Sequence, residues 1–468
     1  MKYLLQDSYS SICKLVFILL WQIIVSEATG MYTKCDTYNI VPSSDAGSCV
    51  DSCSCITLSQ FAANSNNLTG CNTALILLDG IHVLSVNFSI AAVSSFSMKS
   101  EYDDSKRVAI KCAESVSFNF DSIPNVYVSG LMFIGEANST SKYDKINSIG
   151  RCNTAIVTRK STIKISNVFF KGFCGSQWSV SSTVKKYTKK QHVRVGGAII
   201  VSMSNVYIYS SYFERNTAQL GGALYAESRS NITIISSHFF DHFTICNGYC
   251  YGGVVLLDNS IIQAVACTFS NNKIMHTIHN WSLASGGVFG CFKSSVSVNS
   301  SIFTKNVATY GGVLRCYHCD CITVFNTTFS NNIAKQYGGV AHVAKTHSTM
   351  IHDSYFIESA AISGNGGVFW IQNAQLSIIN SNVINNSAFI HGGAISCAGK
   401  CIITLNHSNF TNNKAMVHNS SGGALFIVRS IVDIDSCIFI NNSAYFGCLL
   451  YTSPSPRDAT LSRMPSSA

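Results

Sequence analysis

Charge is scarce in this 468-residue chain: Asp, Glu, Lys and Arg make up 12% of it, and proline occurs five times. No stretch repeats Ala, Leu, Glu and Lys at helical spacing, which excludes a helical solenoid. Gly pairs recur without a following Lys-Ser/Thr, so there is no phosphate-binding loop. The formal charge is +9, but it is dispersed along the sequence instead of concentrated in a basic stretch with interleaved aromatics. That argues against nucleic acid as a partner. Acids are few in residues 196–447 and scattered: Glu214, Glu227, Asp241, Asp258, Asp320, Asp353, Glu358, Asp433 and Asp435.

What the chain does contain is a repeat. Gly-Gly pairs begin at Gly196, Gly221, Gly252, Gly286, Gly311, Gly338, Gly366, Gly392 and Gly422, a period of 25 to 34 residues. Self-similarity at that length marks a solenoid, and a propeller blade would need about 40 residues or more. Between the pairs run short alternating segments such as Val206-Tyr207-Ile208-Tyr209 and Val296-Ser297-Val298. Period-two alternation is strand chemistry. Coils of three short strands, stacked about 4.8 Å apart, place like residues on like. Phe213, Phe239, Phe269, Phe303, Phe329, Phe356, Phe410 and Phe439 are expected to form an internal ladder, with Val383 interrupting it. Asn216, Asn272, Asn306, Asn332, Asn413 and Asn442 are expected at a tight bend where amides bond backbone and one another, with Glu358-Ser359 replacing one Asn pair.

The pairs Gly196-Gly197-Ala198-Ile199, Gly221-Gly222-Ala223-Leu224, Gly392-Gly393-Ala394-Ile395 and Gly422-Gly423-Ala424-Leu425, each followed by a Phe-x-x-Asn segment or its variant, resemble the polymorphic outer-membrane-protein repeat. That resemblance covers just over half the chain. It implies an all-β, right-handed parallel β-helix at a cell surface, and implies fold and location more than activity.

The first 28 residues have a basic start, an apolar run from Leu15 to Val25 and small residues at the end, the pattern of a secretory signal peptide. Residues 29–72 then read as a Cys-rich N-terminal cap, 73–175 as degenerate β-helix coils, 176–195 as a basic inserted loop and 196–447 as the Gly-Gly repeat region. Residues 448–468 resemble a translated sequencing-library adaptor, beginning where the next Gly-Gly is due. In a secreted chain the cysteines are expected in disulfides: Cys49, Cys53, Cys55 and Cys71 in the cap, then Cys246 with Cys250, the group Cys316, Cys319 and Cys321, and Cys397 with Cys401. Cys316-x-His318-Cys319 also has zinc-like spacing, but a second ligand pair is missing. The insert carries Lys185, Lys186, Lys189, Lys190 and Arg194 and is expected to be solvated. Acceptor sites for N-glycosylation occur at Asn67, Asn87, Asn138, Asn231, Asn280, Asn299, Asn326, Asn406, Asn409 and Asn419, and also at Asn385 and Asn441, which coincide with the Asn ladder and are expected to be buried.

Polysaccharide cleavage on this fold would need convergent carboxylates. The best pair, Asp433 and Asp435, lies on one face of a strand about 7 Å apart, with a solvent-facing pair as the plainer reading. No cofactor is implied, and the thirteen His form no metal-ligand spacing. The expectation is a secreted or cell-surface β-helix module for adhesion or for binding an extracellular glycan or protein, not an enzyme. A carbohydrate lyase or hydrolase is the alternative. A third reading is the ectodomain of a membrane protein.

Overall fold

A computed structural model describes residues 37–42, 56–64, 72–91, 93–113, 115–135, 153–188, 192–246, 249–276, 284–447 and 450–453. The chain forms the expected parallel β-helix. Each coil contributes one strand to each of three long sheets, 15-stranded (sheet I), 13-stranded (sheet II) and 13-stranded (sheet III) among the described residues. In chain order a coil runs from sheet III through sheet I to sheet II, as in Ile199–Ser202, Asn205–Tyr209 and Tyr212–Glu214. A nine-stranded sheet IV, which includes Val307–Tyr310 and Ile333–Tyr337, lines the return to the next Gly pair.

The coils before residue 196 belong to the same three sheets, so the solenoid does not depend on the Gly-Gly mark. At its start, Thr37–Val41 pairs with Asn72–Leu77, and the helix Leu58–Asn64 sets Phe61 against Tyr38 and Phe88 inside the open end. The cap cysteines Cys49, Cys53, Cys55 and Cys71, the expected signal segment and the acceptor sites Asn67, Asn138 and Asn280 lie outside the described residues. Leu450–Ser453, within the segment read as adaptor-like, pairs with Leu425–Val428 in sheet III.

The interior is stacked as the repeat requires. Phe rings from Phe213 to Phe356 stack with centroids 4.5 to 4.9 Å apart, and Phe410 meets Phe439 at 5.0 Å beyond the Val383 gap. Phe133 and Phe170 extend the ladder backwards into the unmarked coils.

Most corners follow one rule: a single residue in left-handed backbone, then a short buried polar side chain that bonds a neighbouring rung. At the corner after sheet II the left-handed residues are Asn271, Lys305, Asn331, Glu358, Asn385 and Asn412, all at φ between 51° and 56°. The buried ladder residues follow them: Asn272, Asn306, Asn332, Ser359, Asn386 and Asn413. Asn306 Nδ2 donates to Asn332 Oδ1 at 3.0 Å, and Ser359 takes the amide's place by accepting from Asn332 N. Hence Asn385 and Asn441 are not buried: they occupy the exposed left-handed position, and the ladder belongs to Asn386 and Asn442. At the corner after sheet I the buried residues are mostly serines, such as Ser354, Ser381 and Ser408, and their hydroxyls accept the backbone N–H of the preceding rung. Those Ser rows are therefore interior scaffolding, unavailable to a ligand.

Candidate functional site

The outer face of sheet III is where the coils stop being uniform. Alternation turns the second and fourth residues of each strand outward, and along the sheet these are Val157, Ile200, Tyr225, Leu256, Gly290, Arg315, His342, Trp370, Ser396 and Phe426 at the second position. Such residues on an outer face call for a cover.

Residues 176–195 supply one for the first half. Among the described residues this is not a solvated loop: Ser176–Ser179 pairs antiparallel with His192–Val195, and the helix Ser182–Thr188 comes between them in sequence with Lys185 and Lys186 exposed, while Lys189 and Lys190 lie outside the described residues. Val180, Val184, Val193 and Val195 bury against Ile200, Tyr225, Leu256 and Phe292, a second apolar cluster outside the solenoid. Four buried valines at about 1.5 kcal/mol or more apiece explain why the insert packs despite its lysines.

Two carboxylates sit beneath this insert on neighbouring rungs. Glu227 and Asp258 are register partners, 9% and 3% exposed. Trp178 Nε1 donates to Glu227 Oε1 at 3.0 Å, the Tyr225 hydroxyl donates to Glu227 Oε2 at 2.8 Å, and the Ser181 hydroxyl donates to Asp258 Oδ2. Asp258 Oδ1 is buried with no hydrogen-bond partner. Arg159 stacks over the Trp178 ring at 4.6 Å. Burial, then the neighbouring Glu227 carboxylate, pushes the Asp258 carboxyl up, against the pull of the Ser181 hydrogen bond and of Lys293. Sequence reasoning counted these acids as scattered because 31 residues separate them; only stacking makes them a pair. Paired carboxylates are a composition used in acid–base chemistry. Here both are spent on holding the insert.

A raised acid pKa in the packed state means that packing binds the proton more tightly than the free insert does. Protonation therefore favours the packed insert, and its contribution falls away as pH rises through the raised value. We expect hydrogen-exchange protection at Val184, corrected for intrinsic rate, to fall as the pH is raised above the ordinary carboxylate range. Asp258→Asn should abolish the fall.

Beyond the insert the second half of the face is partly open. Tyr310, Tyr337 and Trp370, all half-buried, run along its sheet IV side, with Tyr337 and Trp370 stacked at 5.0 Å and Tyr310 5.7 Å from Tyr337. His342 lies below them, its ring edge-on to Trp370 at 4.3 Å. It is 5% exposed, neither ring nitrogen has a hydrogen-bond partner, and burial and then Arg315 hold it well below the ordinary histidine range. The imidazole is thus neutral at physiological pH.

The opposite side of this face is the corner leading into sheet I. Here the exposed left-handed residues are Lys293, His318, Lys345 and Asn373, followed by Lys400 and Arg429 on the next two rungs. A cavity of about 350 Å³ opens beside them, lined among others by His318, Lys345, His347, Asn373 and Lys400.

The residues singled out from sequence fall elsewhere. Asp433 and Asp435 lie on the last rung of sheet I, exposed, aligned with Thr404 and Asn406, and do not join the sheet III face. Cys316 is disulfide-bonded to Cys319, with Cα atoms 6.0 Å apart, and Cys397 to Cys401 at 6.5 Å. Cys321, expected to join the first group, carries a free thiol because its strand turns it outward on sheet I. Cys250 is disulfide-bonded, and the Cys246 side chain lies outside the described residues. Among the acceptor asparagines, Asn87, Asn231, Asn326 and Asn419 are exposed, while Asn299, Asn406 and Asn409 are half-buried.

The architecture defines the chain's class as a parallel β-helix. No family model matches it. One curated relative, metabotropic glutamate receptor-like protein R of Dictyostelium discoideum, is 23% identical over 236 residues, 48% of this chain and 14% of its own length. The chain thus spans a small part of that relative. Among solved structures it is similar to the catalytic domain of a GH87 α-1,3-glucanase (10% identity, TM-score 0.46, 91% of this chain and 70% of that one). It is also similar to the periplasmic alginate epimerase AlgG (9% identity, TM-score 0.42, 79% and 77%). These likenesses concern fold. They also overturn the expectation that the chain is not an enzyme, since both of these β-helices are enzymes. No helix among the described residues is long and apolar enough to cross a membrane.

Proposed function

We propose that the chain is a carbohydrate-binding β-helix of the cell exterior, and that the open half of the sheet III face is its binding groove. The observation that carries this reading is the aromatic row Tyr310, Tyr337 and Trp370, set on successive rungs beside a neutral, unpartnered His342. Sugar rings present apolar C–H faces that stack on aromatic rings, and polar groups at the side fix their orientation. A rigid rod offers such contacts at every rung, so weak contacts along one chain add up. Fold-level likeness to carbohydrate-active proteins agrees with this reading without carrying it.

Trp370→Ala tests it. Losing one stacking face should weaken binding of a hexasaccharide about tenfold, measured by calorimetry, with the thermal midpoint of unfolding measured alongside. Unchanged affinity for every oligosaccharide that the wild type binds would remove the groove from consideration.

A further inference from the structure

We infer that the ligand of this groove is an acidic polysaccharide, one carrying carboxylate or sulfate groups, and that its charges are met by the corner row Lys293, His318, Lys345, Lys400 and Arg429. The inference rests on the groove reading and names the substrate class.

In sequence Lys293, His318 and Lys345 are 25 and 27 residues apart, Lys400 lies 55 beyond Lys345 and Arg429 a further 29, and the row looks dispersed. In the structure they belong to consecutive rungs of one corner, interrupted by Asn373, at the rise of about 4.8 Å that strand pairing imposes. All are exposed, and left-handed backbone at Lys293, His318, Lys345 and Arg429 places them at the outermost point of the turn. His347 also lines the cavity beside them. Lys345 and Lys293, then Lys186 of the insert and His347, are the charges that bear on His318 after its burial, and all four disfavour its protonated form. Three lysines, from two corner turns and the insert helix, therefore crowd His318, which stands in the row as a hydrogen-bonding group and not as a fixed charge. Nearby acids are Asp320, next in sequence to Cys319, and the buried Asp258, which faces Lys293 from below.

Like charges held in line repel one another in water, and a linear polyanion of matching direction relieves that repulsion. The row flanks the same strands whose other side carries Tyr337 and Trp370. From Trp370, second in its strand, to the corner is about three residues, or roughly 10 Å, a width that seats one polysaccharide chain with its ring faces on the aromatics and its acidic groups toward the lysines. A nucleic acid would meet the cations equally but would place bases, not sugars, on the aromatic side.

The test uses the full chain with four probes: a hexagalacturonate, a sulfated heparin hexasaccharide, a neutral glucose hexasaccharide and a single-stranded oligothymidylate. The variant Lys345→Asn with Lys400→Gln leaves the left-handed corner intact, because Asn adopts that backbone readily. We expect binding of one acidic hexasaccharide at low salt, weakened at least tenfold by the double variant and steeply by added salt, with the neutral probe bound more weakly and indifferent to the variant. The carboxylate and sulfate arms tell which acidic group is read. Equal binding of the neutral and acidic sugars, with no effect of the variant, would overturn the inference and leave the groove reading standing. Oligothymidylate bound more tightly than either acidic sugar would also overturn it. Binding of none of the sugars would sink the groove reading itself.

Discussion

Gly312→Ala should prevent this chain from folding beyond its first coils, or leave it in the insoluble fraction when expressed. The two glycines of each pair do different work. Gly311 stands at φ +63°, in the left-handed region that costs an L-residue roughly 1–2 kcal/mol, and a Cβ on it would collide with the carbonyl oxygen of Leu314 in the same turn. Gly312 has no such backbone requirement. A Cβ placed on it would collide with the carbonyl oxygen of Gly339 on the following rung and lie 2.9 Å from Ile333 N. These are backbone atoms, so no side-chain rotation relieves the clash, and the rungs must separate at the point where Gly312 N donates to Gly338 O at 3.2 Å. Gly311→Ala and Gly312→Ala are both expected to cost far more than the few kcal/mol that a typical substitution costs, the first by breaking its own turn and the second by parting two rungs. Soluble yield and thermal unfolding midpoints of the two variants check this. A variant of either kind that unfolds within a few degrees of the wild type would show that the backbone shifts cheaply there.

The second large effect concerns two adjacent asparagines. Asn332→Ala should destabilise the protein by about 3 kcal/mol or more, because it strips several buried partners at once. Asn332 Oδ1 accepts from both Asn306 N, at 3.1 Å, and Asn306 Nδ2, at 3.0 Å, while its own Nδ2 donates to Phe303 O at 2.9 Å. Asn331→Ala, one residue earlier, should cost only about 1 kcal/mol, the penalty of left-handed backbone without an Asn or Gly. Asn331→Gly should be close to neutral. Denaturant titration of the three variants reads out the order. A larger loss at Asn331 than at Asn332 would mean that the amide ladder contributes little.

The same distinction explains what could be read in advance and what could not. Phe-x-x-Asn was legible as a core residue followed by a bend, because stacking at a fixed period forces like on like. The buried member was legible as the last Asn of Phe-x-x-Asn, as at Asn332, whereas Asn385 and Asn441 were placed on that ladder wrongly, since adjacent asparagines are the same residue type and only the handedness of the corner separates them. The coils from Leu75 to Phe170 show alternation but no glycine mark, and their membership in the same sheets rests on in-register pairing such as Phe133 with Phe170.

Sequence alone determined the all-β solenoid, its coil length, the Phe and Asn ladders and the absence of a conventional nucleotide or zinc motif, because each of these is a local pattern repeated until it is unmistakable. Tertiary structure decided the groove. Glu227 and Asp258 are 31 residues apart, Trp370 and Tyr337 are 33 apart, and Lys345 and Lys400 are 55 apart. Each pair is brought together by stacking in which loops of unequal length drop out and only the rung number remains. A periodic core announces itself in the sequence, whereas a functional face is written one residue per coil and becomes readable only when the coils are laid on top of one another.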